Sequence, residues 1–135
     1  PWGRPDMAIY KFTEAIVNNK PIKVFAEGKL YRDFTYIDDI INGILAILDK
    51  QKTTTPPDLM NIGNNHHEGD NTLVAELEKI LKTKVQIEYL PMQPGDVLAT
   101  FANIRRINDY CGFTPKTRLS AGLKNFIDWY LSYKL

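Results

Sequence analysis

Four polar residues in this sequence stand where elementary chemistry gives them something to do. Arg4 lies between Gly3 and Pro5 in "PWGRPD", so the backbone carrying its guanidinium is stiff. Arg32 lies inside "LYRDFTYI", an otherwise apolar and aromatic run where a cation is costly unless its donors are used. Its fork of N–H donors suits phosphate oxygens; an ion pair with Asp33 or Glu27 would also satisfy it. Gln93 and Asp96 fall in "PMQPGD", a preorganised loop between two prolines and a glycine. A plain turn with Asp96 as a cap accounts for the same residues.

His66, His67 and Glu68 invite a metal. Adjacent histidines on an extended segment point to opposite faces, and the helical two-histidine zinc pattern needs i, i+4 spacing. These are the only 2 His in the sequence, so no other imidazole can complete a sphere, and "NNHHEGDN" is expected to be a solvated loop. Neither the three-glycine dinucleotide fingerprint nor a Walker loop occurs, and no Ser/His/Asp arrangement has supportive context. A catalytic centre complete within these residues is not visible.

The elements that must position these side chains alternate between helix and strand. Ile9, Phe12, Ala15 and Ile16 have helical spacing, with Asp6 near the N-terminus and "NNK" and Pro21 as the stop. "IKVFA" and "LYRDFTYI" are expected as β segments around "EGK", whose Gly28 suits a turn. Asp38 and Asp39 precede "IINGILAILDK", a helix apolar on several sides and so expected to be buried on more than one face. "QKTTTPPD" is a surface connection and "LMNIG" a short strand. A helix through Leu73, Leu77, Ile80 and Leu81 follows, then "KVQIEYL" as a half-buried strand. "IRRINDYCG" is a short helix ended by Gly112, and Leu119, Leu123, Phe126, Ile127 and Tyr130 stripe the last one. The class is α/β.

A length of 135 residues suggests one domain, and 44% hydrophobic with 24% charged residues is ordinary globular composition. The net charge of +1 comes without a basic run of the kind that tracks a phosphate backbone, so nucleic acid is not an expected partner. "IINGILAIL" is far below the roughly 20 apolar residues that span a bilayer, so no membrane partner is expected. Cys111 is the only cysteine, cannot form an internal disulfide, and fits a reducing, intracellular setting.

"GRPDMA", "RDFTYIDDI", "NIGN" and "LPMQPGD", in this order, resemble the C-terminal part of UDP-glucuronate 4-epimerases. These are extended short-chain dehydrogenase/reductase enzymes of nucleotide-sugar metabolism, often serving capsule and lipopolysaccharide synthesis in bacteria. The resemblance covers essentially the whole chain. "RDFTYIDD" is shared with many nucleotide-sugar epimerases and dehydratases, whereas "PWGRPDMA" with "LPMQPGD" is more specific. In that family the first half holds the glycine-rich NAD site, a Ser/Thr and a Tyr-x-x-x-Lys pair. The resemblance therefore implies that residues 1–135 are the C-terminal substrate-binding part of a longer cytoplasmic parent, inactive alone. Its cofactor, NAD, would be bound by the other half. It further implies that about 36–63, a helix and a strand, pack into the Rossmann domain. The isolated segment is then expected to expose apolar surface and to self-associate or swap elements, while the parent is expected to be a homodimer.

The resemblance also assigns roles. Arg4 corresponds to the arginine that binds the glucuronate carboxylate, Arg32 to the one that reaches the UDP diphosphate, and Phe25 to an aromatic or apolar residue beside uracil. Gln93 and Asp96 fall at positions facing the diphosphate and the uridine ribose, and relatives using galactose or glucose nucleotides carry arginine at the Gln93 position. Leu98 stands where a proline is expected, which would loosen the loop, and Asn103 replaces an aspartate at a helix cap. The implied reaction interconverts UDP-glucuronate and UDP-galacturonate through a 4-keto intermediate; the alternatives are a segment of a UDP-glucuronate decarboxylase or of a sugar-nucleotide 4,6-dehydratase, or a non-enzymatic nucleotide-sugar binding module. Such a ketone makes the C5 carboxylate a β-keto acid prone to lose CO₂, and Arg4 is expected to hold that carboxylate out of the cleavage geometry.

Overall fold

The computed structural model describes residues 7–134, which divide into two compact units. The first comprises residues 7–31, Gly69–Leu98 and 120–134. At its centre β1 (Ile22–Phe25) and β4 (Ile87–Leu90) run parallel, with Ile22 opposite Ile87 and Phe25 opposite Leu90. Ile22 and Val24 point into the core while Lys23 points out, the two-residue alternation of a strand covered on one face. Parallel neighbours need a long crossover; here the chain returns to β4 through helix α3 (Asp70–Leu81).

Helix α1 (Ala8–Val17) packs on α3, with Phe12 and Ile16 one turn apart on its buried side. Helix α3 answers with Leu73, Val74 and Leu77. It ends at Lys82 in the left-handed region, and the Glu78 carboxylate then accepts the Val85 N–H at 2.9 Å and Lys84 Nζ at 2.7 Å, closing the connection to β4. Helix α5 (Leu119–Lys134) buries Leu123, Ile127 and Tyr130, and the Tyr10 ring stands edge-on to Tyr130 with centroids 5.5 Å apart.

The second unit, Arg32–Glu68 with Ala99–Leu119, holds helices α2 (Ile37–Gln51) and α4 (Arg105–Cys111). Its core is Ile104, Ile107 and Phe113, with Ile47, Met60, Ile62, Ala102 and Cys111 packed against it. Asp39, buried in the first turn of α2, accepts the backbone N–H groups of Lys116 (3.2 Å) and Thr117 (2.9 Å). Asn103 Oδ1 accepts the Arg105 N–H at 3.1 Å at the start of α4, and Gly112 ends that helix with φ of 72°. Two short strands, β2 (Tyr31–Arg32) and β3 (Glu68–Gly69), pair with each other.

Three expectations are corrected. "LYRDFTYI" is strand only at Tyr31–Arg32, because Asp33 and Thr35 use their side chains on the backbone of other segments and α2 begins at Ile37. "LMNIG" is not a strand: among the described residues it joins no ladder, and it packs instead against the non-helical stretch around Ala102 and Asn103. Helix α2 buries one face only. Ile37, Ile41, Ile44, Leu45 and Leu48, at i, i+4, i+7, i+8 and i+11, form an apolar stripe that is 42–59% exposed. Among the described residues no helix is long and apolar enough to cross a membrane.

Candidate functional site

The C-terminal ends of parallel strands are where loops gather and ligands bind in α/β sheets. In the first unit those ends are Phe25 and Leu90, directly opposite each other. Phe25 is half-buried, and after it three residues in succession take positive φ: Ala26 (49°), Glu27 (56°) and Gly28 (74°). The left-handed turn closes with the Lys29 N–H on the Ala26 carbonyl at 2.9 Å. Ala26 and Glu27 pay a steric cost there of roughly 1 kcal/mol each, and a Cβ on Gly28 would collide with the Asn71 side chain. The Asn71 Nδ2 donates to the Glu27 carbonyl at 3.4 Å, tying the turn to α3.

Beside this turn lies a groove of about 450 Å³, lined by Ala26, Glu27 and Lys29 on one side and Tyr89–Met92 on the other. Glu27 and Lys29 pair at its edge. The Lys29 ammonium holds the Glu27 carboxyl below its ordinary value, first through the hydrogen bond and then through charge, and Lys29 is raised in turn.

The loop that leaves β4 carries two of the expected site residues. The Asp96 N–H donates to the Gln93 carbonyl at 3.2 Å, with Pro94 second and Gly95 third at φ of 88°. This is a four-residue turn of the kind that requires positive φ at its third position. Gln93 and Asp96 are its two ends. Further on, the Leu98 carbonyl accepts the Tyr31 N–H at 2.8 Å. The first unit therefore brings Phe25, Gln93 and Asp96 to the loops at one end of its strand pair.

Arg32 belongs to the second unit, half-buried as the last residue of β2. Its neighbour Asp33 is a hub. Asp33 Oδ1 accepts the Asn64 N–H (2.8 Å) and the Thr35 hydroxyl (3.1 Å), while Oδ2 accepts the N–H groups of Asn65 (3.1 Å) and Ala102 (2.8 Å). Glu27, in the first unit, pairs with Lys29. Neither Asp33 nor Asp39 stands out in the sequence as a clamp. Arg4 lies outside the described residues.

His66 is exposed and faces Glu68 at 3.4 Å, whereas the His67 ring packs 5.8 Å from that of Phe101. Among the described residues no three His, Cys, Asp or Glu side chains gather as a metal site. A dinucleotide needs a strand that runs through a glycine-rich turn into a helix. Here β1 runs into the Ala26–Gly28 turn, β4 into a proline loop, and β3 into α3 through the single Gly69 with no glycine-rich turn, so the described residues do not fit NAD.

The fold is similar to that of a portion of an epimerase of known structure. Residues 1–63 match the NAD dependent epimerase/dehydratase family. The chain is 43% identical to UDP-glucuronate 4-epimerase 1 of Arabidopsis thaliana, over 98% of this chain and 34% of that protein. It is 38% identical to Protein CapI of Staphylococcus aureus, over 98% of this chain and 44% of that one. Among solved structures, a mutant UDP-glucuronic acid 4-epimerase from Bacillus cereus, in complex with UDP-4-deoxy-4-fluoro-glucuronic acid and NAD, superposes with a TM-score of 0.89 at 32% identity. That match covers 98% of this chain and 42% of the other. The chain thus spans less than half the length of these relatives.

Proposed function

We propose that this chain is the UDP-sugar-binding, C-terminal part of an enzyme that interconverts UDP-glucuronate and UDP-galacturonate. The observation that carries the reading is near-complete coverage of this chain by relatives bearing that name, at up to 43% identity. The geometry supports it: polar side chains on a rigid turn, beside a groove at the ends of parallel strands, suit a ligand with a flat base and charged phosphates.

In this reading Phe25 packs against the uracil, Gln93 and Asp96 face the diphosphate and ribose, Arg32 holds the diphosphate, and Arg4 holds the sugar carboxylate. None of these groups touches C4. They bind and orient remote parts of the substrate, so their interaction energy is available to position the reacting carbon. The reaction oxidises C4 to a ketone, and re-reduction on the opposite face inverts that centre with no net redox change. NAD, bound by the other half of the whole protein, supplies the hydride chemistry.

The stripe of Ile37, Ile41, Ile44, Leu45 and Leu48 supports a second element of the proposal. Residues 36–63 dock on that other half, which covers the stripe and offers "LMNIG" a strand to pair with. The chain alone is then inactive. Incubating the full gene product with UDP-glucuronate and NAD tests the reading: UDP-galacturonate is expected, whereas a UDP-pentose with CO₂ would indicate a decarboxylase instead.

A further inference from the structure

Asp33 accepts four hydrogen bonds from within the protein. Its two carboxylate oxygens accept three backbone N–H groups from two separate segments, at Asn64, Asn65 and Ala102, besides the Thr35 hydroxyl. Thr35 Oγ1 itself accepts the Asn64 N–H at 3.1 Å. Bonds from backbone N–H to an ionised carboxylate are among the stronger ones a protein makes. Close approach is built in as well. A Cβ on Gly63 would stand 2.5 Å from the Ala102 Cβ and 3.1 Å from Asp33 Oδ2, so only glycine lets residue 102 come near enough to donate.

The Cα of Asp33 is thereby fixed to two other stretches of chain, and Arg32 is one peptide away. A guanidinium sits at the end of four rotatable bonds, and its aim depends first on where its backbone is held. We propose that Asp33 is a positioning residue for Arg32: the clamp onto Asn64, Asn65 and Ala102 sets the backbone from which Arg32 reaches a nucleotide diphosphate, and Gly63 is the clearance that clamp requires. The proposal rests on the functional reading above, in which Arg32 meets the diphosphate.

Asp33→Asn keeps the shape but turns one acceptor into a donor facing N–H groups, so part of the clamp opens. The experiment is calorimetric titration of the full gene product with UDP and, separately, with uridine. It uses wild type, Arg32→Ala, Asp33→Asn and the double variant. Asp33→Asn is expected to weaken UDP about tenfold, the loss of one well-placed charge-assisted contact, and to leave uridine unchanged. In the Arg32→Ala background it should change UDP affinity no further. A purely structural clamp would lower thermal stability and weaken both ligands alike.

Equal weakening of UDP with and without Arg32, or no weakening at all, overturns the positioning role. Should Asp33→Asn not fold, Gly63→Ala, which pushes Ala102 away without touching a charge, is carried through the same cycle and decides by the same outcomes. A wild-type protein that binds neither UDP nor UDP-glucuronate overturns the functional reading itself. Intact UDP binding with a failed cycle overturns only the role of Asp33.

Discussion

The Asp96 N–H donates to the Gln93 carbonyl at 3.2 Å, which makes these two residues the ends of one tight turn. Their separation is therefore fixed by backbone geometry, through Pro94 and a Gly95 held at φ of 88°. Among the described residues, chain neighbours aside, no atom lies within 4 Å of where a Cβ on Gly95 would be, so Gly95→Ala meets a conformational cost. It is expected to lower unfolding stability by about 1 kcal/mol and to weaken UDP binding by the whole protein. Urea denaturation and titration of UDP check the two parts.

The exposed stripe of α2 makes a second expectation. Five large aliphatic side chains in a row on one helix face favour association in water. This chain alone should grow in apparent mass with concentration, and Leu45→Glu with Leu48→Lys should shift it towards monomer. Light scattering across a concentration series measures this, and a clean monomer at every concentration would count against docking through α2.

Glu78 links the end of α3 to β4 through the Val85 N–H and Lys84. The Lys84 hydrogen bond, and next that from the Val85 N–H, hold its carboxyl below the ordinary value of 4.5. A carboxylate whose value is lower in the folded state stabilises the fold above its unfolded value, and that contribution fades as pH falls through the folded one. Glu78→Gln should therefore cost roughly 1 kcal/mol near neutral pH, with the difference from wild type shrinking below about pH 4.5. Denaturant midpoints at pH 7 and at acid pH measure it.

Helices α1, α3, α4 and α5 were legible in the sequence because each carries its own apolar stripe or stop signal, such as Gly112. At α2 the apolar residues on several sides imply burial on more than one face, and within this chain only one face is buried. "LMNIG" has the composition of a strand, but a strand needs a neighbour, and pairing is a property of tertiary structure. Of the site, the Gln93–Asp96 turn could be read from Pro94–Gly95, whose turn chemistry is local. The Asp33 clamp could not. It joins residues as far apart as 33 and 102, and no local pattern announces a carboxylate that serves distant backbone.

Arg4 is assigned by resemblance to the sugar carboxylate, and a chemical test follows from the reaction proposed. Loss of CO₂ from a β-keto acid needs the breaking bond roughly perpendicular to the carbonyl plane. A planar guanidinium that binds the carboxylate in two places opposes that geometry, and an ammonium does not. In the full gene product Arg4→Lys should raise the ratio of UDP-pentose to epimer. Weaker binding with an unchanged ratio would contradict the role.

The most direct test follows both UDP-glucuronate and UDP-galacturonate, with NAD present, by NMR in the full gene product. The proposed epimerase brings either starting sugar to the same final mixture, without release of CO₂. One-way conversion with loss of CO₂, or no conversion from either side, would contradict it.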